Sequence, residues 1–231
     1  MNVFLRLLRI YIILGTSAAF FLYMALKIFR RENSKLNHYL SYFFFCQASF
    51  MFTNLIYASL FQATLVKFLH ILTWFIGLFG YIFLLLFNLI LLYSQKKITP
   101  KIQNSLILGN LILMSVFFLL SDSVIIDETT DWRPVWDLPY VLYSLISFNL
   151  VIIPVVISSL KLYKIFNLQN LKARWAAYML GILIWMFIMN ITPFINQLYD
   201  PALAMFYFIV SLSIIPANFL IYLGVGKIDK A

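Results

Sequence analysis

Residues 68–93 read FLHILTWFIGLFGYIFLLLFNLILLY, with no Asp, Glu, Lys or Arg between Lys67 and Lys96. At 1.5 Å of rise per residue, about 20 helical residues cross the roughly 30 Å hydrocarbon core of a bilayer. This run is long enough, and it is apolar on every side rather than along one stripe. A helix of that kind belongs in lipid or deep inside a bundle. Working outward, the same pattern recurs at 8–28 and 39–60 before it, and at 102–120, 138–160, 175–198 and 202–225 after it. The expected fold is therefore an all-α membrane protein. Residues 1–231 are expected to form a single transmembrane domain, a bundle of seven helices. The run at 102–120 is the weakest candidate, being the shortest and interrupted by Asn104 and Asn110.

Composition agrees. Hydrophobic residues make up 64% of the chain and charged residues 11%, against about 45–50% and 25% in soluble domains. The net charge of +9 is scattered through short connections between apolar runs. That arrangement points to a bilayer surface as the partner and away from nucleic acid. Cys46 is the single cysteine, so no internal disulfide is expected. Arg6 and Arg9 precede Ser17, Ala18 and Ala19, a loose likeness to a signal-peptide cleavage site. The apolar run continues to Ile28, too long for such a peptide, so a spanning helix that also serves as targeting signal is expected.

Orientation follows from the cationic side chains. Lys27, Arg30, Arg31 and Lys35 follow the first run, Lys96, Lys97 and Lys101 the third, Lys161, Lys164, Lys172 and Arg174 the fifth, and Lys227 and Lys230 the seventh. Arg6, Arg9, Lys67 and Arg133 fall on the other side. The richer side is expected to be cytoplasmic, with the N-terminus outside and the C-terminus inside a cytoplasmic (inner) membrane. Asp122, Asp127, Glu128, Asp131, Asp137 and Asp200 then lie outside, and only Glu32 and Asp229 inside. Aromatic residues are expected to mark the interfaces: Tyr39, Tyr93, Trp175 and Tyr222 inside, Trp136, Tyr140 and Tyr199 outside. The segment from Lys161 to Arg174 is expected to extend the fifth helix or to lie along the interface.

Ionisable groups deep in a membrane usually mark proton or ion paths, and none lies deep in these runs. Lys67 and His70 are expected to snorkel at the outer end of the third run, while His38 lies at the inner end of the second. No hydrolase or metal motif appears, so neither catalytic activity, nor a cofactor, nor a metal is expected. The uncharged polar residues fall into helical pairs: Gln47 with Asn54, Asn190 with Gln197, Ser211 with Asn218. Asn88 and Asn149 stand singly. Such faces must look inward, because an unpaired amide in hydrocarbon is costly. They can serve as interhelical hydrogen bonds. Alternatively they line a pocket in the outer half, for which the candidates are Asn54, Trp74, Asn149, Trp185, Asn190 and Gln197. Pro154, Pro193 and Pro216 interrupt the last three runs and are candidate hinges.

Retinal proteins need a lysine within the last helix, and here Lys227 and Lys230 follow it. Neither the acidic-Arg-aromatic triplet nor the Asn-Pro motif of eukaryotic G-protein-coupled receptors is present. The chain instead resembles the bacterial seven-helix sensory module found at the N-terminus of many histidine kinases. The likeness rests on Arg30, Arg31 and Asn33 after the first run, and on Arg174, Tyr178 and Gly181 entering the sixth. It extends to Asn190 with Pro193, and to Gly226, Lys227, Ile228 and Asp229 after the last. The resemblance implies a bundle that binds a small or apolar signal in its outer half and passes a helix rearrangement to an output domain. No kinase, cyclase or phosphatase segment follows the seventh run, so a cytoplasmic signalling protein acting in trans is the expected partner. A small transporter or transporter subunit for an uncharged solute, and a membrane assembly scaffold, are the alternative functions.

Overall fold

The computed structural model describes residues 9–31, 34–198 and 200–226. Arg6, Glu32, Asn33, Tyr199, Lys227, Ile228, Asp229 and Lys230, used above for orientation or resemblance, lie outside the described residues. A π-helical stretch Arg9–Leu14 leads into α1, Gly15–Phe29. There follow α2 (Lys35–Tyr57), α3 (Ala63–Lys97), α4 (Pro100–Leu119), α5 (Leu138–Ile165) and α6 (Gln169–Leu198). The last apolar run is broken into α7 (Pro201–Ser211) and α8 (Ile214–Ile221), ending in a π-helical stretch Tyr222–Gly226.

Local chemistry sets the boundaries. Proline stands in the first turn of α4, α5 and α7, where its missing N–H costs nothing. The Asp200 carboxylate accepts from the backbone N–H of Ala202 at 2.6 Å and of Leu203 at 3.3 Å, capping α7. The Ser34 hydroxyl caps α2 by accepting from Asn37 N at 3.3 Å. Pro154 and Pro193 lie inside uninterrupted helices. Near Pro216 the helix breaks at Leu212 and Ser213, and Ile215 N takes up the Leu212 carbonyl in a tighter turn at 3.3 Å.

Among the described residues, six helical segments are long and apolar enough to cross a membrane: Ile10–Phe29, Ala63–Lys97, Pro100–Leu119, Leu138–Ile165, Gln169–Leu198 and Met205–Val225. The chain is a multi-pass, all-α membrane protein. The helix that falls short is the second, not the fourth. α2 is 23 residues long, but Ser41, Gln47, Ser49, Thr53 and Asn54 dilute its apolar content. Its packing explains why this is tolerated. α2 runs along α1 on one side and α3 on the other, and its polar groups bond across those contacts. Ser41 donates to Ala25 O at 2.8 Å, and the Gln47 amide donates to Gly77 O at 2.9 Å. α4, in contrast, is the least buried of the six and can be apolar all round.

The two ends of the bundle differ in charge. Connections 58–62 and 120–137 and the residue Asp200 meet at one end, which carries all the described acids: Asp122, Asp127, Glu128, Asp131, Asp137 and Asp200. At the opposite end lie Lys27, Arg30, Arg31, Lys96, Lys97, Lys164 and Arg174. There Lys27 donates to the Tyr222 hydroxyl at 3.0 Å. Arg31 and Arg174 reach the backbone oxygens of Val225 and Leu223, each at 3.4 Å. Partial burial near Arg174 holds the Arg31 guanidinium below its ordinary pKa. The segment 161–174 divides between the two helices it joins: α5 continues to Ile165 and α6 begins at Gln169.

The acidic connection is folded rather than merely solvated. β1 (Val124–Ile125) pairs antiparallel with β2 (Val135–Trp136), with Val124 opposite Trp136. Between them, Asp127 accepts from Thr129 Oγ1 at 2.6 Å and Thr129 N at 2.9 Å. These bonds, the hydroxyl's foremost, hold its carboxylate below the usual range. The hairpin turns Trp136 into the bundle. Trp136 and Tyr140 were expected as half-wet interface rings, yet they are 1% and 0% exposed. Trp175, expected at the other interface, is likewise buried and donates to Ser159 O at 2.9 Å. Both indoles can leave water because each N–H has a partner, His70 Nε2 for Trp136 and Ser159 O for Trp175. The Tyr140 hydroxyl, in contrast, is buried without a hydrogen-bond partner among the described residues and is held by its ring contacts with Trp136 and Phe117.

Candidate functional site

A cavity of about 140 Å³ opens at the acidic end, between the start of the chain's first helical segment, α2, α3, α6 and the broken last segment. Its deeper wall is apolar: Leu14, Phe50, Trp185, Ile188, Met189 and Ile214. Its polar lining comes mostly from helix ends and connections: Asn54, Tyr57, His70, Arg133, Asn196 and Asp200. The gradient follows from the chain. Trp185 is about 20 Å along α6 from its end at Leu198, by helical rise, whereas Asn196 is two residues from it.

Of the residues selected from sequence, Asn54, Trp74 and Trp185 meet at this cavity. Asn149 and Asn190 instead bond to each other across α5 and α6, Nδ2 to Oδ1 at 2.7 Å. Neither they nor Gln197 belong to the cavity lining. Interhelical bonding also accounts for Asn88, whose amide donates to Val155 O at 3.1 Å and Ser159 Oγ at 2.8 Å. Asn218 likewise bridges, as described below.

His70 does not snorkel to the headgroups. It is 2% exposed, with both ring nitrogens engaged. The Trp136 indole N–H donates to Nε2 at 3.1 Å. Indole is a donor only, so Nε2 must be the unprotonated nitrogen and Nδ1 carries the proton. Nδ1 then donates to the Tyr57 hydroxyl at 3.0 Å. His70 is thereby fixed as a neutral tautomer and is not offered as a metal ligand or a free base. Trp74 and Tyr140 pack on Trp136, each with ring centroids 4.7 Å away. This cluster anchors the hairpin that brings Arg133 and Pro134 to the mouth of the cavity. Lys67, which shares that end of α3, is partly exposed and pairs with Asp122 at 3.7 Å.

The wall of the cavity is tied to the last helical segment twice. Thr192 Oγ1 and the Tyr207 hydroxyl are 2.6 Å apart. The Trp185 indole N–H donates to Asn218 Oδ1 at 2.9 Å, and Asn218 Nδ2 donates to Ser17 Oγ at 3.0 Å. Trp185, Asn218 and Ser17 thus link α6, α8 and α1 in one buried chain. Three other polar groups of the lining are uncommitted. Among the described residues, the side-chain amides of Asn54 and Asn196 and the Trp74 indole N–H make no hydrogen bond.

Sequence reasoning missed Arg133, Asn196, Asp200 and Tyr207 as lining residues. Asn196 carried a usable signal, an amide near the end of an apolar run. Arg133 carried none, because its position depends on the hairpin. No protein-family model, curated protein or solved structure matches this chain.

Proposed function

We propose that this protein is a seven-span membrane sensor, with the acidic end outside and the basic end in the cytoplasm. A small ligand enters the cavity at the outer end, and the resulting shift of the last helical segment is read by a separate signalling protein at the inner end. Such a part is the one the resemblance to bacterial seven-helix sensory modules implies. The observation that carries it is the chain of hydrogen bonds from the cavity wall to the last segment, through Trp185 and Asn218. That segment is already broken at Leu212 and Ser213, so its two halves can move separately. At its far end, Arg31, Arg174 and Lys27 hold Val225, Leu223 and Tyr222. A movement begun at the cavity would therefore reach the cytoplasmic surface. Coupling of this kind requires the ligand to favour one bundle arrangement over another.

The orientation has independent support in the gathering of Lys and Arg at one end. For α2, the seventh crossing, support comes from its 23-residue length and its position between α1 and α3. The test is purification in mild detergent from native membranes, with identification of stoichiometric partners. A kinase, cyclase or phosphatase bound through the basic end is the expected result. Isolation without any partner, together with saturable solute uptake into proteoliposomes, would replace the sensor with a transporter.

A further inference from the structure

We infer that the cavity takes an uncharged molecule of benzene to indole size that carries one hydroxyl, carbonyl or amide group. This ligand class rests on the sensor assignment above and gives it a chemistry. Size is the first constraint. The volume of about 140 Å³ is close to that of an engineered apolar cavity that holds benzene. The deep wall of Phe50, Trp185, Ile188, Met189, Leu14 and Ile214 offers a ring or short chain nothing but apolar contact. The Trp185 N–H is spent on Asn218, so even the indole presents only its ring.

Polarity is the second constraint. Near the mouth, Asn54, Asn196 and the Trp74 N–H are uncommitted within the described protein. Two carboxamides and an indole N–H supply donors and acceptors without net charge. Such groups match a neutral polar end and leave it satisfied when water is displaced. Two further polar lining groups are occupied. His70 uses both ring nitrogens, and Thr192 bonds Ile188 O and Tyr207.

Charge is the third. The lining holds one cation, Arg133, and one anion, Asp200. Asp200 also caps the α7 N-terminus. A singly charged ligand would meet both signs at the mouth and would have to leave water for a wall that solvates neither. A neutral ligand meets no such opposition.

The test uses four probes of one shape: benzyl alcohol, toluene, benzoate and benzylamine. Each is titrated against the purified full-length protein in lipid nanodiscs, following the thermal unfolding midpoint. The same titrations on the Ile188→Trp variant, in which the cavity is filled, subtract partitioning into lipid. The expected result is a saturable rise with benzyl alcohol and a response to toluene about tenfold weaker, the worth of one good hydrogen bond. Benzoate and benzylamine should give none. Asn54→Leu with Asn196→Leu should erase the difference between benzyl alcohol and toluene while toluene still binds, which shows the variant folded. Preferential binding of benzoate or benzylamine, or equal binding of toluene and benzyl alcohol, would overturn the ligand class but leave the cavity as the sensing site. Identical responses of the wild-type and Ile188→Trp proteins to all four probes would remove the cavity itself.

Discussion

At the scale of the residue, two groups stand under visible constraint. Ser94 sits at φ 70°, ψ 160° within α3, just before the turn into α4. That region is almost confined to glycine and costs other residues about 1–3 kcal/mol. Ser94→Gly should therefore raise resistance to denaturant by an amount in that range, while Ser94→Ala should not, as compared by unfolding in mixed micelles. The second group is Trp185. In Trp185→Phe the ring remains and the donor to Asn218 is lost. The expected cost is about 0.6–1.7 kcal/mol, the span measured for interhelical bonds in membranes. Adding Asn218→Ala should then cost less than it does alone, a coupling that a double-mutant cycle resolves. At this scale the sequence was half legible. Asn54, Trp74 and Trp185 stood out because an amide or indole in an apolar run must find polar company or a pocket. Asn149 and Asn190 gave the same signal but found each other. Helical spacing says which face a residue occupies, but not which neighbour meets it there. His70 was misplaced for that reason: its partners Tyr57 and Trp136 come from another helix and from the hairpin.

At the scale of the element, close approach decides what can be changed. A Cβ on Gly181 of α6 would lie 2.7 Å from the Ala217 carbonyl oxygen of α8 and 2.7 Å from Ile221 Cγ1. The carbonyl belongs to a helix backbone and cannot turn aside. Gly181→Ala should push α6 from α8 and destabilise the bundle by about 1–3 kcal/mol, as overpacking does. Gly109 of α4 faces open space, with nothing within 4 Å of its would-be Cβ. Gly109→Ala should instead stabilise, by about 0.4–1 kcal/mol, through the lost freedom of the unfolded chain, and comparing the two variants' unfolding midpoints checks both statements. The runs of apolar residues marked the helices well, since a stretch that must face lipid has few alternatives. They marked α2 less well, because a helix between two others can hold polar residues and still sit in the bundle. The hairpin of β1 and β2 was not legible at all. Its two-residue strands are too short to show an alternating pattern, and what fixes them is Trp136 docking on Trp74, Tyr140 and His70.

At the scale of the whole molecule, the number of crossings is the property most open to direct measurement. If α2 spans, Lys35 and Gln62 lie on opposite sides of the membrane. In a Cys46→Ala background, cysteines placed at Gln62 and Thr129 should react with an impermeant maleimide in intact cells. One placed at Lys35 should react only after permeabilisation. Reaction of Lys35→Cys and Gln62→Cys from the same side would reduce the bundle to six crossings. α1 and the last described helical segment meet in the fold as well. Ser17 bonds Asn218, Lys27 bonds Tyr222 and Arg31 reaches Val225. During synthesis, these groups of the first helix enter the bilayer long before their partners leave the ribosome. This polar seam is thus closed only once α8 is made, and a nascent chain halted before Ile214 would leave it facing lipid. Quality control that recognises such seams could then tell a finished molecule from an interrupted one.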